Sequence, residues 1–288
     1  MNEYNYLATK EDFEAIEEGI KTVWSKNLSF IFRDKKLITD TLIVSFDSKY
    51  IYFWTNRKIP KLKVFPCSLK HFYAYIIPHS NSFPENERLG WHTGNLNPII
   101  LSALPSIFKQ NDFDLPKISG SLMGDFINVQ KKIKRHSTNP YTTRGSYLAT
   151  LVHEFAHVYF NQHKLWWYSN KETNISSLNK ALQLYKNKKI DNVEIPLPSP
   201  FFLSEVFAFC ADYTAASIFW PEHKKDIDNK NIKTIEELIR KEKTLNLNEE
   251  NSTLNEREPH NIAFVFGKIL VESFPKTWPK KILTQKFL

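Results

Sequence analysis

The most apolar stretch of the chain, Phe201 to Trp220, is about long enough to cross a bilayer, yet it carries Glu205 and Asp212. Each carboxylate would cost roughly 2.5 to 3.5 kcal/mol at membrane depth, which turns the reading toward a buried helix of a globular protein. A chain of 288 residues, 42% of them apolar, can bury such a helix. The two acids then need an explanation, because a charge taken out of water must be neutralised, paired or bound to a metal.

A second helical segment supplies a reason. From Thr150 the chain reads Thr-Leu-Val-His-Glu-Phe-Ala-His-Val-Tyr-Phe, which contains the pattern HExxH. Residues four apart lie on one helix face, so the imidazoles of His153 and His157 can share one tetrahedral ion, with Glu154 beside it as a base for a water. With 9 His and 20 Glu in the chain, chance would produce this pattern about 0.02 times, so spacing alone gives it weight. From Ser146 to Phe160 no other residue is charged, and a solvated polar stripe is a poor account of these three groups.

The HExxH helix with its bulky uncharged flanks resembles that of the zincin metallopeptidases. The resemblance implies an α+β fold in which a mixed sheet lies against the HExxH helix and a later helix supplies a third zinc ligand. Two candidates stand for that ligand. His163 follows His157 at the metzincin spacing HExxHxxGxxH, but Phe160 occupies the glycine position and no methionine lies downstream. Glu205, in Leu203-Ser204-Glu205-Val206-Phe207-Ala208, resembles the glutamate of the gluzincin branch, and zinc would satisfy its charge. Many gluzincins carry a second acid four residues on, a position held here by Phe209, while Asp212 lies two turns beyond Glu205 and could instead orient a histidine.

That resemblance implies a zinc-dependent peptidase, gluzincin-like, with peptide or protein substrates. Zn2+ would be held by His153, His157 and Glu205, Glu154 would be the general base, and His260 or Tyr213 would stabilise the oxyanion. Two alternatives remain: a zincin-like binding or scaffold protein without catalysis, and a zinc hydrolase acting on a bond other than a peptide. The loop and strand from Trp91 to Leu101 are the candidate substrate edge.

The rest of the chain fits the α+β order. Residues 9 to 26 read as an amphipathic helix, and Leu28 to Phe32, Thr41 to Phe46, Tyr50 to Trp54, Phe72 to Ile77 and Pro98 to Leu101 read as strands, with a turn at Asp47-Ser48-Lys49. Helical spacing then marks 122 to 133, a helix starting near Thr142, the Glu205 segment, a polar helix around Ile235 to Lys243 and a last helix from near Asn261. A β-rich lobe at 1 to 118 and a helical lobe at 119 to 288 are expected.

The formal charge of +8 comes from a basic set in which Lys greatly outnumbers Arg, and the run Lys131, Lys132, Lys134, Arg135 lacks interleaved aromatics. A nucleic-acid partner is therefore not expected. Two cysteines, Cys67 and Cys210, give neither a disulfide framework nor a metal-binding spacing, and the acidic start lacks the features of a secretory signal. Cytoplasmic residence and no membrane span are the expectations.

Overall fold

A computed structural model describes residues 10–36, 43–46, 50–56, 58, 62–78, 144–164, 200–244 and 257–284. Within these, helix α1 (Lys10–Val23) precedes strands β1 (Ile43–Phe46), β2 (Tyr50–Thr55), β3 (Lys63–Phe65) and β4 (Tyr73–Pro78). Five helices follow: α2 (Arg144–Lys164), α3 (Pro200–Phe219), α4 (Pro221–Thr244), α5 (Arg257–Ser273) and α6 (Trp278–Leu283). The architecture is α+β, with strands early and helices late. The chain forms two compact units, Met1–Tyr159 and Phe160–Leu288, with the division inside α2.

In the first unit the strands form a sheet of order β1-β2-β4-β3. Every described pairing is antiparallel, with Ile43 opposite Trp54, Trp54 opposite Ala74 and Phe65 opposite Ala74, in place of the expected mixed sheet. Alternation along β2 puts Tyr52 and Trp54 on one face and Phe53 on the other. Helix α1 covers the Tyr52 face. Its Phe13 ring lies 4.8 Å from Tyr52 and 5.1 Å from Phe65, and Ala15, Ile16, Ile20 and Val23 are fully buried.

The buried Glu17 carboxylate is satisfied in this layer. It accepts hydrogen bonds from the Ser68 backbone N–H at 2.9 Å, the Ser68 hydroxyl and the Trp54 indole N–H at 3.5 Å. The opposite face is also buried, at Phe53 and Tyr75, whose rings stack at 5.2 Å.

Helix α2 approaches α1 closely, since a Cβ on Gly19 would sit 2.5 Å from a Leu151 methyl. Tyr159 adds a tie, its hydroxyl accepting from the Asp34 backbone N–H at 3.2 Å and its ring meeting Phe32 edge-on at 5.5 Å. These contacts fix the helix that carries His153 and His157.

Four sequence expectations change. Leu28 to Phe32 is not a strand but a short 3-10 turn at Lys26–Leu28 followed by further turns. Leu28, Ile31 and Phe32 are all fully buried, and their i, i+3, i+4 spacing matches a helical turn rather than a pleat. Strand β3 was not expected, and α4 begins at Pro221, well before Ile235. The inward residues of α4 include Ile227, Asn231 and Thr234, a half-polar stripe that conceals the helical period. Helix α5 likewise starts at Arg257, which puts His260 inside its first turn. The expected strand at 98 to 101, the loop at 91 to 95, the turn at 47 to 49 and the helix at 122 to 133 lie outside the described residues.

In the second unit α3 is the central helix. Leu203, Val206, Phe207, Ala208, Cys210, Ala211, Ala215 and Ala216 are fully buried, so it has no broad solvent face. Phe209 packs edge-on against Phe264 of α5 at 5.2 Å, and Phe207 meets Trp278 of α6 at 5.1 Å. Where α5 crosses α3, a Cβ on Gly267 would sit 2.9 Å from the Phe209 Cβ and 3.1 Å from the Cys210 backbone nitrogen. No described helix is long and apolar enough to cross a membrane.

Glycine is therefore required at 267 because helix backbones meet there. Gly267→Ala is expected to lower stability by about 1 to 3 kcal/mol despite the better helix propensity of alanine, as measured by urea unfolding. Unchanged or raised stability would show that the crossing is looser than described.

Candidate metal centre

Helix α2 runs without a break from Arg144 to Lys164, and its inward surface is made by Leu148, Leu151, Val152, Phe155, Ala156 and Val158. Among these apolar residues the helix carries His153, Glu154 and His157. Glu154 and His157 are buried, and His153 is more open.

The two imidazoles turn the same atom toward each other. Their Nε2 atoms are 3.0 Å apart, with ring centroids 4.7 Å apart and planes inclined at 76°. Two nitrogens on a tetrahedral zinc, each at 2.0 to 2.1 Å, stand roughly 3.3 Å apart, so the pair is already close to the separation that a shared ion requires.

Glu205 lies one turn into α3 and is only 3% exposed. Ligand atoms from His153, His157 and Glu205 all lie within 4.8 Å of one another. Two imidazoles and one carboxylate form a donor set suited to zinc. The residues present fit the ion that the sequence implies.

His163 stands differently. Because α2 continues through Phe160, a residue six positions beyond His157 is turned about 120° around the helix from it. The break that would swing a third histidine inward is absent from this helix. His163 and His260 are placed by their helices alone, since their side chains lie outside the described residues.

Tyr213 is occupied in another role. Its hydroxyl lies 3.0 Å from Asp228 Oδ1, 3.1 Å from Glu272 Oε1 and 3.3 Å from Lys268 Nζ. Lys268 also pairs with Asp228 and, at 2.9 Å, with Glu272, while Lys224 pairs with Asp228 at 2.6 Å. This network joins α3, α4 and α5. Burial opposes the charge on Lys268, but its hydrogen bonds to Asp228, Glu272 and Tyr213 raise its pKa well above the ordinary lysine value, and the same network lowers Asp228 in spite of its own burial. The i, i+4 pairs Lys224–Asp228 and Lys268–Glu272 were open to reading from sequence spacing, but their union around Tyr213 was not.

Asp212 faces α4. Its Oδ1 is 3.9 Å from His223 Nε2, beyond hydrogen-bond distance, so the imidazole beside it is His223 rather than either HExxH histidine. Burial pushes the Asp212 carboxyl up to about 7, opposed by the charge of Lys230, and burial likewise lowers His223. Phe209, at the position where gluzincins carry their second acid, belongs to the aromatic contact with Phe264.

Compared with known proteins, the chain matches no family model, no curated protein and no solved structure.

The Asp212 environment gives a pH prediction. A carboxyl that keeps its proton up to about pH 7 when folded, but loses it near its ordinary 3.8 when unfolded, stabilises the fold in its protonated form. That contribution is present at low pH and declines as the pH rises through about 4 to 7. His223 acts in the opposite sense, because the unfolded chain takes up its proton first as the pH falls. Asp212→Asn should remove the first effect, so its midpoint of thermal unfolding should exceed that of the wild type by a few degrees at pH 8 and by less at pH 5. An equal difference at both values would contradict the assignment.

Proposed function

We propose that the chain is a metal-dependent hydrolase of gluzincin type acting on peptide bonds. The observation that carries this reading is the gathering of His153, His157 and Glu205 ligand atoms within 4.8 Å, in an otherwise apolar setting and next to Glu154 in sequence. His153 and His157 would hold zinc through Nε2, and Glu205 through a carboxylate oxygen. Zinc bound in such a site lowers the pKa of water and polarises a carbonyl.

The remaining chemistry falls to the chain itself. Glu154, fixed on the same helix between the two histidines, takes the proton from the attacking water on its carboxylate and delivers it to the departing amine. The buried apolar residues of α2 beside Glu154, Val152, Phe155 and Ala156, strengthen the interactions of the charge they flank.

Of the two oxyanion donors expected from the sequence, Tyr213 has its hydroxyl within the Asp228–Lys268–Glu272 network. His260, on α5, is the other donor that the zincin resemblance implies.

The roles separate by substitution. Glu154→Gln should retain one zinc per chain while peptide hydrolysis falls by at least about a hundredfold, the usual scale for loss of a general base. Glu205→Ala should lose zinc affinity, and His163→Ala should keep it. Metal content by elemental analysis and cleavage of a quenched peptide library give both readouts. Zinc retained by Glu205→Ala but lost by His163→Ala would reverse the ligand assignment. Stoichiometric zinc in the wild type, with no hydrolysis of peptides, would favour a binding protein or a non-peptide substrate.

A further inference from the structure

The same helices contain an aromatic ladder that the chemistry above does not use. Phe160, one turn beyond His157 on α2, has its ring 5.5 Å from Phe207 of α3, which stands two residues beyond Glu205. Phe207 in turn meets Trp278 of α6 edge-on at 5.1 Å. All three side chains are fully buried. Large rings in a dense interior have few alternative packings, so a contact of this kind fixes the rotation and height of one helix against another more sharply than aliphatic residues do.

We infer that Phe160, Phe207 and Trp278 are positioning residues for the third ligand, setting the rotation of α3 that presents the Glu205 carboxylate to the histidines. None of the three is itself a donor to the ion. Phe160 also keeps α2 helical through the point where a glycine would let it turn, so one residue both extends the ligand helix and anchors the helix of the acid. The Phe209–Phe264 contact provides a comparison, because it packs α3 against α5 through a different residue of the same helix. The ladder should therefore govern metal affinity, whereas the Phe209–Phe264 contact should govern stability alone. This inference rests on the metal-centre reading.

The test uses the full chain and zinc in competition with a chromophoric chelator, together with thermal unfolding of the metal-free protein. Phe207→Leu and Phe160→Leu should each weaken zinc binding by about tenfold or more, the range seen when support around a metal site is lost. The double variant should be little weaker than either single one, because both remove the same contact. Phe264→Leu, with a comparable fall in unfolding temperature, should keep zinc affinity within about threefold. Should Phe207→Leu fail to fold, Trp278→Phe tests the other end of the ladder with the same expected direction.

Wild-type affinity in Phe207→Leu, equal losses in Phe264→Leu, or fully additive losses in the double variant would overturn the positioning role while leaving the metal centre intact. Failure of the wild type to bind zinc would instead remove the metal-centre reading and this inference with it.

Discussion

Burial of the Glu205 carboxylate is the constraint on which the account depends. At 3% exposure on a largely apolar helix, an ionised acid has lost its water and is compensated within the protein or by a bound ion. Two imidazoles whose Nε2 atoms converge to 3.0 Å are themselves a poor arrangement if both carry protons, because their charges would repel. A divalent cation would answer both problems, attracting the acid and replacing protons on the two nitrogens.

The scaffold around this group consists of close contacts. Leu151 against Gly19 and Tyr159 against Phe32 hold α2 in the first unit. In the second, α3 is held by the backbone approach at Gly267, by the rings of Phe207 and Trp278, and by the charged network at Tyr213. Ligands carried on regular helices with packed flanks are held more narrowly than ligands on loops, and a small tolerance in position is what a tetrahedral ion demands. The part-buried residues Asp212 and His223 use polar groups differently, with desolvation favouring the uncharged form of each.

Legibility in the sequence followed the clarity of each local period. Phe13, Ile16, Ile20 and Val23 disclose α1, and the aromatic run at Tyr50 to Trp54 discloses β2, because each pattern repeats long enough to define a face. Leu28, Ile31 and Phe32 misled because a short apolar cluster serves a turn as well as a strand. Lys63-Val64-Phe65 is too short to show alternation, and α4 turns Asn231 and Thr234 inward where an apolar stripe is sought. At the candidate site, the histidines were legible because one helical turn relates them, and Glu205 because a carboxylate in an apolar helix is costly. The position of Tyr213 among Asp228, Lys268 and Glu272 depends on three helices meeting, which no local spacing encodes.

X-ray absorption spectroscopy of the zinc-loaded chain addresses the central claim most directly, since it reports the atoms surrounding the ion. Two imidazole nitrogens at about 2.0 to 2.1 Å with one or two light oxygen donors, and the loss of one oxygen donor in Glu205→Ala, are the expected result. A sulfur ligand from Cys67 or Cys210, or an ion surrounded by oxygen alone with no imidazole signature, would contradict it.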